Sequence, residues 1–229
     1  MNMPKRLSKI GDLERSDHYH LPADAQCYFW GEYTPHEHTN GLKWDYSATN
    51  KLIGNFKKKL DRRGMPDWKY KQQAIQHAAH AFSVFWKWEV LLPHNPVLIP
   101  MPPSKARIDP LYDQRMVELL NLLAAQVQLP LDIRDCLSFN GRFAASHESD
   151  DRPSPEALYE EMHFDPVSGK IGQKPGAIFL FDDMLTSGAH YVAAVRKLED
   201  VFPKVPVLAQ FVSRRRLPNP FEGIDDDGA

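Results

Sequence analysis

The chain has 229 residues, 42% hydrophobic and 25% charged, with a formal charge of −2, which suits one full-sized globular core and excludes a largely disordered chain. No run approaches the roughly 18 apolar residues of a membrane span. Met1 to Glu14 is polar and charged rather than built like a signal peptide, so a cytoplasmic protein with no membrane partner is expected. Cys27 and Cys136 alone exclude a disulfide framework and a four-cysteine zinc site, and the small net charge gives no global attraction to nucleic acid.

Residues 1–25 mix charge and histidine without apolar periodicity and read as a loose N-terminal arm. The aromatic run Gln26 to Thr34 reads as a strand or hairpin, closed by Pro35 and the turn signal Thr39-Asn40-Gly41. Leu52, Ile53, Phe56 and Leu60 fall at helical spacing and predict an amphipathic helix ending near Gly64. A second helix is predicted over Lys69 to Trp88, with Ile75, Ala78, Phe82 and Phe85 inward and Pro93 and Pro96 closing it. Residues 26–89 thus read as a hood or helical extension.

Val97-Leu98-Ile99, punctuated by Pro100, Pro102 and Pro103, reads as a buried strand feeding a tight loop. A helix follows from about Asp113 to Gln128, with Met116, Leu119, Leu120 and Leu123 inward. Between Asn140 and Gly176 the chain turns polar and reads as a mobile excursion with one short helix, Pro155 to Met162. Ala177 to Phe181 reads as a buried strand, His190 to Phe202 as a helix and Val205 to Val212 as a strand. That order implies a parallel pair with a right-handed crossover. The predicted core spans 90–216, and 217–229 reads as a flexible acidic tail. The fold class expected is α/β, a mainly parallel sheet flanked by helices.

The stretch Ile178 to His190, IFLFDDMLTSGAH, joins an apolar strand to two adjacent carboxylates and then to small hydroxylated residues and Gly188 opening a helix. Acids at the carboxyl edge of a parallel sheet sit where open α/β folds bind ligands. A glycine-containing turn at a helix N-terminus lets backbone amides converge on an anion. The segment resembles the PRPP-binding motif of the type I phosphoribosyltransferases, with His190 standing where that family usually has threonine.

The resemblance implies the type I phosphoribosyltransferase fold and specific roles. Asp182 and Asp183 would face the ribose hydroxyls as catalytic carboxylates and meet Mg²⁺, directly or indirectly; Leu185, Thr186, Ser187, Gly188, Ala189 and His190 would enclose the 5-phosphate. Val97 to Arg107 looks like the family's pyrophosphate loop, with Pro103, Ser104, Lys105 and Arg107 as its residues and Lys105 as the catalytic cation. Ser146, His147, Arg152 and Tyr159 fall where family members carry a flexible loop, His147 and Arg152 being the named candidates. The order of Tyr46, Leu52-Ile53, Lys57-Lys58, the proline loop and the acidic motif is similar to the ComF-type proteins. Two functions follow as expectations. One is a protein binding PRPP or another phosphorylated ribose with Mg²⁺, with transfer to a nitrogen acceptor open to it; a homodimer is compatible with it. The other is a non-catalytic nucleotide-sensing module acting with a nucleic-acid or protein partner in DNA uptake or defence.

The pairs His18/His20 and His36/His38 read as exposed polar residues rather than metal ligands. Lys57 to Lys59 with Arg62 and Arg63, and Arg214 to Arg216, read as solvated faces open to polyphosphate or nucleic acid. The five tryptophans read as core or hood packing.

Overall fold

The computed structural model describes residues 3–141 and 153–218. Its centre is a six-stranded sheet, parallel except at one edge. The strands are β1 (Ser8–Lys9), β2 (Gln26–Tyr33), β3 (Pro96–Pro100), β4 (Asp132–Ile133), β7 (Ala177–Leu185) and β8 (Val207–Arg215), in spatial order β1-β2-β8-β7-β3-β4. Only β1 runs antiparallel. A separate antiparallel pair, β5 (Leu137–Phe139) and β6 (Met162–Phe164), carries Phe139 opposite Met162. The α/β class with a mainly parallel sheet is as expected from the strand-helix-strand order.

Helices cover both faces of the sheet. On one side lie α2 (Ala48–Phe56), α3 (Trp68–Phe85) and α5 (Arg115–Val127); their Ile53, Phe56, Phe82 and Leu119 pack with Leu98, Phe179 and Phe181 of the central strands. On the other lie α6 (Pro155–Glu161) and α7 (Ala189–Val201), whose Leu158, Ala194 and Leu198 pack with Ile99, Ile178 and Leu180. From Ile178 to Phe181 of β7 the side chains alternate between the two cores, as a strand buried on both faces requires. Two single-turn helices, α1 (Asp12–Arg15) and α4 (Trp88–Leu91), complete the set.

Several elements depart from the sequence reading. The N-terminal arm is not loose: Ser8 pairs with Phe29, and residues 17–21 lie along the turn after β7. The aromatic run is no hairpin but a strand parallel to β8, Gln26 opposite Leu208 and Tyr33 opposite Arg215. Segment 26–89 therefore adds a strand and one helical layer to the common core instead of standing apart as a hood. Helix α2 begins at a cap in which Asn50 N donates to Ser47 Oγ at 3.0 Å, and it stops at Lys57 because only a 3-10 turn, Leu60–Arg62, follows. Helix α3 ends at Phe85, where Trp86 turns extended so that Trp88 can be buried. The polar stretch after Asn140 contains β6, which the composition hid, and α6, capped by Ser154. No described helix is long and apolar enough to cross a membrane.

From β3 the chain passes through α5 to β4 at one edge; from β7 it passes through α7 to β8 on the other side. The divergence between β3 and β7 is the topological switch point, and ligands of open α/β sheets bind outside the carboxyl ends of the strands there.

Candidate functional site

Strands β3 and β7 pair from Pro96 opposite Ala177 to Pro100 opposite Phe181, and Met101 N closes the ladder on Phe181 O at 2.7 Å. The first chain then leaves into Pro102 and Pro103, while β7 stays paired with β8 as far as Leu185 opposite Arg214. Strand β7 is thus longer than its apolar run. Its edge toward β3 opens at Asp182, the first of the two carboxylates, at the switch point.

Alternation sends these neighbours to opposite faces. Asp183 turns toward α2 and α5, where Lys57 Nζ meets Oδ1 at 2.9 Å and Arg115 Nε donates to Oδ2 at 2.8 Å, with Arg115 Nη2 on the same oxygen. Arg115 Nη1 reaches Asp113 Oδ2 at 2.8 Å, and so does Lys71 Nζ, also at 2.8 Å. Lys71, only 2% exposed, donates as well to Phe56 O at 2.9 Å and Lys58 O at 3.0 Å. A chain of alternating charge, Lys71–Asp113–Arg115–Asp183–Lys57, therefore runs beside the switch point on the α2/α5 face.

The charges set the protonation of the pair. Burial alone would raise the Asp183 carboxyl, but Lys57 and Arg115 outweigh it and hold the group well below the usual carboxylate range. Burial and then the charge of Asp183 push Asp182 up to about 7; its Oδ1 accepts the Asp183 amide at 2.7 Å. Burial pulls Lys71 down against the attraction of Asp113. Burial likewise lowers Arg115, but Asp183 and Asp113 outweigh it and raise the guanidinium further. His190, in the first turn of α7, is lowered to about 4 by burial and stands edge-on to Phe139 at 5.9 Å.

The turn Thr186 to Gly188 joins β7 to α7, and Gly188 caps the helix at φ +91°, a conformation that favours glycine. The N-terminal arm lies on it. His18, fully buried, bonds the Thr186 carbonyl through Nδ1; His20 N donates to Ser187 O at 3.0 Å; a Cβ on Gly188 would lie 2.9 Å from Leu21 Cδ2. Arg214 Nη1 and Leu217 N both donate to Asp17 Oδ2, at 3.1 and 3.2 Å, and fix the arm. Ser187 is left 4% exposed. Both arm bonds end on carbonyls; the amides of Ser187, Gly188 and His190 donate to no group among the described residues. The expectation that His18 is an exposed polar residue is overturned, because its ring is buried against the Thr186 carbonyl; burial lowers its pKa. Arg214 is likewise no solvated arginine but is 6% exposed and held by Glu32 and Asp17.

The loop after β3 keeps Pro103, Ser104 and Lys105 partly exposed. Lys105 Nζ pairs with Asp109 of its own loop at 3.0 Å, whereas Arg107 is turned away onto Asp135, with Nη1 at 2.6 Å from Oδ2 and Nη2 on the Asp135 and Leu137 carbonyls. Gly141 abuts this loop, since a Cβ there would lie 3.0 Å from Ala106 N. Ser146, His147 and Arg152 lie outside the described residues. Tyr159 is on α6, donating to Asp200 at 2.6 Å beneath Arg196 and Lys197. His36 lies against Trp44 at 4.0 Å, and no group of three metal-ligating side chains occurs among the described residues. Trp30 and Trp88 are core residues, while Trp44 is exposed. Two cavities lie elsewhere: one of about 950 Å³ along α3 and α5, one of about 380 Å³ beside α7 at the amino ends of the strands.

The structure therefore brings together Asp182, Asp183, the turn through His190 and the loop bearing Lys105, and it removes Arg107. Lys57, Lys71, Asp113 and Arg115 were not read as site residues from sequence, although Lys57 stood in the ComF-like pattern. No family model matches the chain, and no curated protein does.

Proposed function

We propose that the chain has the type I phosphoribosyltransferase fold and binds PRPP or a related ribose 5-phosphate ligand with Mg²⁺, with transfer of the phosphoribosyl group to a nitrogen acceptor as the reaction open to it. The observation that carries this is the placement of Asp182 to His190. The acids stand at the carboxyl end of a central parallel strand, at the switch point, and the next turn opens a helix with Gly188 at φ +91°. Amides at such a turn suit a phosphate, and the acids beside it suit sugar hydroxyls.

The residues fit a metal brought in by the ligand better than one caged by protein. Mg²⁺ keeps most of its sphere for water and phosphate oxygens and takes one or two carboxylates; here those would be Asp182 or Asp183, of which Asp183 is already paired with Lys57 and Arg115. When bound, Mg²⁺ would offset the charge of a diphosphate. As a leaving diphosphate departs, positive charge develops on the ribose, and the Asp182 carboxylate and the fixed Asp183 anion would stabilise it. Burial and the charge of Asp183 raise the Asp182 carboxyl, and an approaching cation would favour its ionised form. Lys105, 43% exposed, is the loop cation able to leave Asp109 for the ligand.

One observation favours the second reading, a non-catalytic, ComF-like nucleotide-sensing module with a nucleic-acid or protein partner. The arm covers the phosphate turn through His18, His20 and Leu21, so ligand entry would be coupled to arm movement. Calorimetric titration with PRPP and Mg²⁺, and with ribose 5-phosphate, tests the first reading, and no binding of either at millimolar concentration refutes it. Pyrophosphate release with mixed bases, lost in Asp182→Asn, supports transfer; ligand-dependent partner association without turnover supports the module.

A further inference from the structure

We infer that Lys57, at the C-terminal end of α2, is the residue that takes up a phosphate oxygen of the ligand, exchanging its bond to Asp183 for one to the incoming anion; this rests on the proposed ribose-phosphate site and names a cation of that site outside its sequence motif. Of the two cations that the motif suggested, Arg107 is committed elsewhere and Lys105 alone can turn to the ligand, by leaving its loop carboxylate. Lys105 pairs with Asp109, and Arg107 has four bonds to Asp135 and the Leu137 carbonyl. Beside the switch point, by contrast, three cations, Lys57, Arg115 and Lys71, share two carboxylates, Asp113 and Asp183. Counted over these five groups alone, the ladder has one more cation than carboxylate.

That excess sits at its open end. Lys71 has three partners and is sealed, and Arg115 is clamped between both carboxylates. Among the described residues Lys57 has the single ion pair to Asp183, and its side chain is 27% exposed. The Asp183 oxygen it holds belongs to the strand residue next to Asp182, so the ammonium stands beside the acid pair. A flexible ammonium with three donors can turn from one oxygen to another without rebuilding its surroundings. On ligand binding Arg115 continues to hold Asp183 Oδ2, while Oδ1, released by Lys57, becomes free to accept a hydroxyl. No net charge is buried without a partner in either state.

The test is titration of the full chain with pyrophosphate and Mg²⁺, with ribose 5-phosphate, and with PRPP and Mg²⁺. The variants are Lys57→Gln, Lys57→Arg and Lys58→Gln, the last removing a cation of the same segment that pairs with Asp67 away from the crevice. Loss of a charge-assisted bond is expected to weaken PRPP binding by roughly 10- to 100-fold in Lys57→Gln, with most of the affinity regained in Lys57→Arg and none lost in Lys58→Gln. Whether pyrophosphate or ribose 5-phosphate shows the same loss identifies which phosphate is held. Labelling of lysines in the unaltered protein gives a readout independent of any variant: PRPP is expected to change the rate at Lys57 and not at Lys58. If the wild type binds PRPP while Lys57→Gln binds it within twofold, or if labelling at Lys57 ignores the ligand, the inference fails and the ribose-phosphate site stands. Equal losses in the Lys57 and Lys58 glutamine variants would also overturn it. If the wild type binds none of the three, both fall together.

Discussion

Replacing Asp183 by asparagine removes the one anion between Lys57 and Arg115 while keeping the shape of the side chain. The carboxylate is 7% exposed and accepts from Lys57 Nζ at 2.9 Å and from two nitrogens of Arg115. Asparagine can accept on one side only and turns an amide N–H toward a cation on the other. Breaking a buried pair costs about 3–5 kcal/mol; because Arg115 retains Asp113 and Lys57 can turn partly to water, about 2–4 kcal/mol is expected here. In a chain of this size that is a fall of roughly 5–15 °C in Tm, at about 2–4 °C per kcal/mol. Urea unfolding near pH 7.5 measures it as a lower midpoint at unchanged slope. Asp182→Asn is expected to do the opposite, because it removes a carboxylate that burial already disfavours, and should leave the midpoint equal or higher. A loss below about 1 kcal/mol in Asp183→Asn, or equal losses in the two variants, would refute the charge-chain reasoning. It follows that loss of turnover in Asp183→Asn alone does not identify a catalytic carboxylate, whereas loss in a stable Asp182→Asn does.

His190 and Asp182 should oppose one another in pH dependence. His190 is lowered to about 4 from 6.5, so between those values the unfolded chain holds the extra proton and stability falls on acidification, by at most about 3 kcal/mol in all. Asp182 is raised to about 7 from 3.8, so there the folded chain holds the extra proton and stability rises on acidification. Relative to wild type, urea midpoints from about pH 4 to pH 7 should show His190→Gln gaining stability as pH falls and Asp182→Asn losing it; parallel profiles for the two variants would exclude the assignment. Gly188→Ala places a Cβ 2.9 Å from Leu21 and forces φ +91° on an L residue, so a loss of about 1–3 kcal/mol is expected, with faster hydrogen exchange at the His20 amide. An unchanged exchange rate there would show that Gly188 does not hold the arm.

What was legible in sequence was local and periodic. The apolar runs of β3 and β7, the stripes of α3 and α5 and the glycine turn before α7 each announce themselves within a few residues. What was missed depends on distant partners. Strands β1 and β4 are two residues long and β5 and β6 three, too short for alternation to register. The aromatic run became an inner strand only because β8, some 180 positions later, lies beside it. Lys71 and Arg115 stand one turn before the buried stripes of their helices, at Ala74-Ile75 and Leu119, and Lys57 follows Phe56, but nothing local says that Asp113 and Asp183 neutralise them. His18 and Asp17 carry no pattern at all; their burial follows from bonds to Thr186 and Arg214.

The chemical difference between two adjacent, identical acids follows from the strand that carries them. Because β7 is covered on both faces, consecutive side chains enter different layers. The α2/α5 layer supplies two cations within 3 Å of Asp183 and leaves it charged at any physiological pH. Among the described residues the α7 layer brings no ion pair to Asp182, whose oxygen receives instead the neighbouring amide, and the negative charge one residue away resists a second ionisation. One Asp-Asp step thus yields a fixed anion and a proton-labile acid at the same crevice. A shift of one residue in the register of β7 would exchange their roles, placing the second acid away from Arg115 and the first beside it. The pairing of Pro100 with Phe181, set by the apolar residues preceding both acids, is what prevents that shift.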